Sequence, residues 1–305
     1  MKHLLSTIGM EREAVMEILR SARQMEEAAA KGEASRKLEG KIVASIFFEP
    51  STRTRLSFET AALKLGAQVI SAENAENNSS AFKGESIEDT FRMLSSYADI
   101  IIMRHKESGA LERGAEASSA PVINAGDGAN QHPTQALLDL YTIEKETGRL
   151  ENLSIAFVGD LLYGRTLHSF LPLLNLYPNN KFYFVSPKEL ALPEKYRAEL
   201  NEKKVEFIET QNLEEALKRA DALYMTRVQK ERFADAREYE KVKDSFLLKY
   251  EHLRFLRDKS VILHPLPRLN EIDPRIDADP RAAYFRQAQN GLYVRMAILP
   301  YVLGL

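Results

Sequence analysis

Apolar residues recur along this chain with two different spacings. Val15, Ile18, Leu19, Ala22 and Met25 fall three and four apart, which places them on one helix face, so the spacing predicts an opening amphipathic helix that ends by Gly32. Short continuous apolar runs then alternate with helical patterns. Residues 41–48, 99–103 and 122–124 read as buried strands, and residues 52–65 and 86–97 as helices. Pro133 to Thr147 reads as a long helix, opened by a proline that suits the first helical position and stopped at Gly148. The rhythm restarts with strands at 153–158, 182–185, 205–208, 222–225 and 261–263, and helices at 166–176 and 213–219.

Strand, helix, strand alternation requires crossovers, which implies mostly parallel sheets with helices on both faces. The expected fold class is therefore α/β, with two doubly wound parallel-sheet domains joined by a helix. The first domain covers 1–132, the linking helix 133–148 and the second domain 149–285. The closing segment 291–303 is apolar nearly all round, so it should be buried, in a C-terminal helix of about 286–305 that returns to the first domain. Residues 74–84 are polar without either period and are expected to be a mobile loop.

Composition narrows the function. A length of 305 residues suits about two domains. Forty-two Lys and Arg against 44 Asp and Glu leave a net charge of −2, so no global field draws the chain to nucleic acid or a membrane, and any anion must be held by a local cluster. The absence of cysteine excludes disulfides and thiolate chemistry. The six histidines form no HExxH pattern or close ligand pair, so no metal is expected. No run is long enough to span a bilayer, and residues 1–10 fit neither a secretory signal nor a presequence, which points to a cytoplasmic location.

The richest stretch is Phe48, Glu49, Pro50, Ser51, Thr52, Arg53, Thr54 and Arg55. A helix that begins there leaves its first amides without intrahelical partners, with the positive end of the macrodipole beside them, which makes a phosphate cradle. Hydroxyls at 51, 52 and 54 and the guanidinium of Arg53 add donors. Capping by Ser51 and an i,i+4 pair between Arg55 and Glu59 would explain two of these residues and leave Arg53 unexplained.

Ligands of such sheets sit outside the carboxyl ends of strands. Arg104 and His105 follow one predicted strand, and Asn124 to Gly128 another, leading to His132, Pro133, Thr134 and Gln135 at the head of the linking helix. In the second half, Gly159 to Thr166, Thr226 to Gln229 and His264 to Arg268 follow strands. Arginines 53, 104, 165, 227 and 268 are thus expected to converge on one cleft between the domains. Taken singly each is weak: His132 suits a structural hydrogen bonder, and Arg104 and Arg227 suit ordinary ion pairs. Gly159 to Thr166 also fits a Walker-A spacing, but Arg165 stands where that motif needs lysine.

In combination these motifs resemble the aspartate/ornithine carbamoyltransferase family. Phe48 to Arg55 matches its phosphate signature, and His132 to Gln135 its carbonyl-binding motif. His264, Pro265, Leu266, Pro267 and Arg268, with Met225 to Arg232 and Val158 to Thr166, resemble the aspartate branch, whereas ornithine enzymes carry a cysteine in the corresponding motif. Leu162 departs from some bacterial relatives, which have lysine there, and this bears on a quaternary contact rather than on the chemistry.

The resemblance implies transfer of a carbamoyl group from carbamoyl phosphate to L-aspartate in pyrimidine biosynthesis, with no cofactor and no metal. It assigns Ser51, Thr52, Arg53 and Thr54 to the phosphate, and Arg104, His132 and Thr54 to the carbonyl oxygen. Gln135 and the carbonyls of Leu266 and Pro267 hold the carbamoyl NH₂, and Arg165, Arg227, Gln229 and Lys83 hold aspartate. It further implies a homotrimer in which the loop bearing Ser79 and Lys83 enters the neighbouring subunit's site, with room for regulatory chains in a larger assembly. Two alternatives stay open: a carbamoyltransferase acting on ornithine or another amine, and a non-catalytic phosphate- or nucleotide-binding module.

Overall fold

The computed structural model describes residues 2–75, 84–230, 233 and 235–305. The chain divides into two compact units, Met1–Leu138 with Gln289–Leu305, and Asp139–Ala288.

The first unit begins with α1 (Arg12–Ala30), whose buried residues are the five of the predicted stripe. Strands β1 (Ile42–Phe47), β2 (Gln68–Glu73), β3 (Ile100–His105) and β4 (Val122–Asp127) pair in parallel in the order β2-β1-β3-β4. Between them lie α2 (Thr52–Lys64), α3 (Ile87–Tyr97) and α4 (Ala110–Glu116), followed by α5 (Pro133–Thr147). β1 and β3 are almost wholly buried, as strands of a covered parallel sheet are. Their core contains Ile46, Phe91, Ile101, Met103 and Val122. Gly114 lets α4 approach α3 closely, since a Cβ there would collide with the ring of Phe91.

The second unit orders its strands β7-β6-β5-β8-β9, all parallel: β5 (Ser154–Val158), β6 (Lys181–Val185), β7 (Glu206–Thr210), β8 (Ala222–Met225) and β9 (Val261–Leu263). Its helices are α6 (Arg165–Leu174), α7 (Glu194–Glu202), α8 (Leu213–Arg219) and α9 (Ala236–Val242), and α10 (Tyr284–Leu303) closes the chain. Phe157 on β5 stacks on Phe184 at 5.8 Å and meets Phe170 edge-on at 6.2 Å. Asp139 of α5 accepts from Tyr224 Oη on β8 and from Gln287 Nε2 on α10, both at 2.6 Å. A carboxylate excluded from water is thereby satisfied, and α5 is fixed to the sheet.

Each strand order contains one reversal. In the first sheet β1 and β3 are neighbours whose connections leave in opposite directions, and in the second β5 and β8 are such a pair. The crevice outside the carboxyl ends of two such strands is where parallel sheets bind ligands. The loops after β1 and β3, and those after β5 and β8, carry the motifs singled out in the sequence.

The last helix, expected over about 286–305, runs from Tyr284 to Leu303, and its first turns already bury Tyr284, Gln287 and Asn290. The loop expected at 74–84 falls largely outside the described residues. Among the described residues no helix is long and apolar enough to cross a membrane.

Candidate active site

At the first switch point the chain leaves β1 with Phe48 N–H donating to the carbonyl of Arg104 at 2.9 Å, which ties the two loops together. Ser51 occupies the N-cap of α2 with non-helical backbone, yet its hydroxyl makes no capping bond. Arg104 Nη1 reaches that hydroxyl at 3.5 Å, and its Nε lies 3.3 Å from Glu49 Oε2. Thr52 and Arg53 are exposed and Thr54 is buried in the first turn of α2. The positive end of the helix is thus surrounded by hydroxyls and two guanidinium groups, as an anion site requires.

Arg55 behaves differently. It pairs with Glu59 at 3.3 Å and Glu73 at 3.0 Å, and Glu59 also accepts from Ser45 at 3.0 Å and Ser71 at 2.6 Å. The i,i+4 reading of Arg55 is therefore correct, and this residue braces α2 against β1 and β2.

The β4–α5 loop is organised by Asp127. Its carboxylate accepts from Gly109 N, Gln131 N and the side chains of Asn124 and Asn130 at 2.9 to 3.0 Å. That loop delivers His132 to the start of α5, where its carbonyl accepts from Gln135 N at 3.0 Å and Ala136 N at 3.2 Å. Both His132 and Gln135 are buried. His105, next to Arg104, instead packs edge-on against Phe48 at 4.7 Å and accepts from Glu107 N, and burial lowers its pKa. It is a structural group.

At the second switch point Gly159 follows β5 with φ of +115°, and a Cβ there would collide with the carbonyl of Thr226. Only glycine lets the loops after β5 and β8 approach this closely. Asp160, wholly buried, accepts from Tyr163 N at 2.8 Å and Gln229 N at 3.3 Å. Burial raises its pKa to about 6, opposed by these amides and by Arg227. Gln229 Nε2 returns a bond to the carbonyl of Tyr163 at 3.0 Å. Arg165 opens α6 directly after this loop and is buried, and Arg227 stands in the loop after β8. Asp160 therefore joins the two loops that carry the arginines.

After β9, His264 Nε2 lies 2.8 Å from Glu271 Oε1, and its Nδ1 accepts from Leu266 N at 2.8 Å. Leu266 has φ of +56° and is followed by a cis bond to Pro267. Arg268 is directed elsewhere. It forms a two-pronged pair with Asp277, with Nη2 at 2.6 Å from Oδ2, and stacks on Tyr284 at 5.1 Å. The expectation that Arg268 joins the other arginines at a ligand site is thus corrected: a carboxylate nine residues on and an aromatic face satisfy it.

Comparison with known proteins settles the family. The domain described as "Aspartate/ornithine carbamoyltransferase, carbamoyl-P binding domain" matches residues 2–145, and "Aspartate/ornithine carbamoyltransferase, Asp/Orn binding domain" matches residues 151–302. The chain belongs to the aspartate/ornithine carbamoyltransferase family. Among family members, the aspartate carbamoyltransferase catalytic subunit of Methanocaldococcus jannaschii is 52% identical over 299 residues, 98% of this chain and 97% of the relative. A solved structure of the M. jannaschii catalytic subunit superposes with a TM-score of 0.92 at 51% identity, covering 100% of this chain and 98% of the other. The Trypanosoma cruzi aspartate transcarbamoylase in complex with carbamoyl phosphate and aspartate gives a TM-score of 0.93 at 38% identity, covering 98% and 96%.

Within this family fold the described residues at the first switch point bring together Ser51, Thr52, Arg53, Thr54 and Arg104, with His132 and Gln135 at the end of the β4–α5 loop. The second unit brings Arg165 and Gln229 together through Asp160 and Tyr163, with Arg227 on the same loop as Gln229. Lys83, like Ser79, lies outside the described residues. Sequence reasoning passed over Asp127, Asp160 and Glu271, which hold the loops rather than face them. The signal was present for two of them, since Asp127 and Asp160 each follow a glycine at a strand's carboxyl end. Among the described residues no group of three or more His, Asp or Glu is placed to hold a metal ion.

Proposed function

We propose that the protein transfers the carbamoyl group of carbamoyl phosphate to the amine of L-aspartate, giving N-carbamoyl-L-aspartate and phosphate, the committed step toward pyrimidines. The observation that carries the choice of acceptor is the second switch point. It presents Arg165 and Arg227, while the buried carboxylate of Asp160 is engaged by backbone amides and that of Glu271 by His264 and Leu269 N. Two cations suit the two carboxylates of aspartate, whereas the side-chain ammonium of ornithine would need an acidic partner. The aspartate-specific relatives support the same reading.

In this mechanism Ser51, Thr52, Arg53 and Thr54, with the first amides of α2, hold the phosphate. Arg104, His132 and Thr54 donate to the carbamoyl oxygen, while Gln135 and the carbonyls of Leu266 and Pro267 orient the NH₂. Attack by the aspartate amine puts negative charge on that oxygen, and donors already aimed at it lower the barrier without reorganising. Holding both substrates in register removes a further entropic cost. The nitrogen–carbon bond forms, the carbon–oxygen bond to phosphate breaks, and the departing phosphate takes the amine proton, so the step needs no cofactor. The working unit is a cytoplasmic homotrimer in which Lys83 of one subunit serves its neighbour.

The test is His132→Ala. A folded variant should lose roughly 10²-fold in kcat, the scale of one lost oxyanion donor. An unchanged kcat would return His132 to a purely structural role.

A further inference from the structure

We propose that His168 is a positioning residue for aspartate, acting by clamping the backbone of the loop that presents Arg165. The inference rests on the assignment of Arg165 and Gln229 to aspartate above.

Between β5 and α6 the chain has no regular structure, so its course depends on individual bonds. Leu161 is held at both ends: its N–H donates to the carbonyl of Leu190 at 3.1 Å, and its carbonyl lies 2.9 Å from His168 Nε2. A carbonyl can only accept, so Nε2 carries the proton and the tautomer is fixed. His168 sits one helical turn beyond Arg165 on α6 and is buried. Its ring lies flat against that of Tyr196 on α7, with centroids 4.4 Å apart and planes 21° from parallel. The clamp is neutral, because burial lowers the pKa of His168 to about 4. A leucine or phenylalanine would fill the same space without reaching the carbonyl. What the imidazole adds is a directed donor on the segment whose next residues are Tyr163, bonded to Gln229, and Arg165.

The experiment compares His168→Leu, which removes the donor, with His168→Gln, whose amide nitrogen falls where Nε2 was. Steady-state kinetics for both substrates is combined with hydrogen exchange of the amides of residues 161–165. For His168→Leu the aspartate KM should rise roughly tenfold, the scale of one buried hydrogen bond, while the carbamoyl phosphate Kd stays within about twofold of wild type. Exchange of the loop amides should quicken. His168→Gln should restore both readouts. If His168→Leu does not fold, His168→Asn, whose amide is too short to reach, takes its place with the same expectations. A folded variant with unchanged aspartate KM and loop exchange, altered only in Tm, overturns the proposal. So does an equal loss for both substrates. A wild-type protein that carbamoylates no aspartate refutes the functional reading itself, whereas normal wild-type turnover with an unaffected variant refutes the clamp alone.

Discussion

The imidazole of His264 donates through Nε2 to Oε1 of Glu271 at 2.8 Å, with both groups buried. Because Nδ1 accepts from Leu266 N, the ring is the neutral tautomer, and burial keeps its pKa low. Glu271 also accepts from Leu269 N at 2.9 Å, so one carboxylate and one imidazole shape the turn from 264 to 269. The pair acts through the carbonyls of Leu266 and Pro267, which the mechanism assigns to the carbamoyl NH₂.

Removing the pair's donor should therefore be felt by carbamoyl phosphate. For His264→Phe we expect a fall in kcat of about tenfold or more, since a buried carboxylate and an amide each lose a partner. The variant's Tm should fall as well. A folded variant with normal kcat would detach the turn from the chemistry.

Arg227→Ala should raise the aspartate KM and lower kcat together, a combined loss of about 2 to 3 kcal/mol in kcat/KM, as for a charge-assisted contact. Carbamoyl phosphate affinity should change little, and equilibrium binding of that substrate checks it. Collapse of that affinity would show that the two loops are not assigned to separate substrates.

Acid should weaken the fold through His168. Its pKa is 6.5 ordinarily and about 4 here, so between those values the unfolded chain takes a proton that the folded one refuses. The stabilisation is complete above the ordinary value and is lost as pH falls toward the depressed one. Asp160 opposes this: its raised pKa of about 6 lets the folded state hold a proton that the unfolded carboxyl releases, which adds stability as pH falls. Comparing wild type with His168→Gln isolates the histidine. From about pH 7 to pH 5 the wild type should lose about 2 kcal/mol more than the variant, read by denaturant titration at both values. Equal losses would contradict the assigned shift.

The proposed homotrimer with a site completed by Lys83 of a neighbour can be tested by complementation. Lys83→Ala and Arg53→Ala homotrimers should each be nearly inactive. After dissociation and mixing, some interfaces pair an unaltered Arg53 with an unaltered Lys83, so activity should rise well above either parent. Demonstrated subunit exchange without any gain would count against a site completed in trans.

Much of this was readable from the chain, and the exceptions have physical causes. Covered parallel strands such as β5 are apolar runs and announce themselves. β2 does not, because it lies at a sheet edge with Gln68, Ile70 and Ser71 exposed, so neither a continuous run nor a clean alternation survives. α7 is dominated by charge and buries only Tyr196 and Leu200, too few positions to mark a period. The phosphate motif was legible because its residues are contiguous. Arg268 was misjudged because what satisfies it, Asp277 and Tyr284, is brought near only by folding. The loop clamps of Asp160 and His168 are hidden for a similar reason: their partners are backbone groups, which no side-chain pattern reveals.

The central claim is that aspartate is the acceptor, and the most direct measurement follows products. The protein is incubated with carbamoyl phosphate and either L-aspartate or L-ornithine, and phosphate and the carbamoylated amino acid are quantified together. The account predicts phosphate and N-carbamoyl-L-aspartate in equal amounts with aspartate, and no citrulline with ornithine. Citrulline formation without turnover of aspartate would contradict it, as would carbamoyl phosphate binding with no transfer to either.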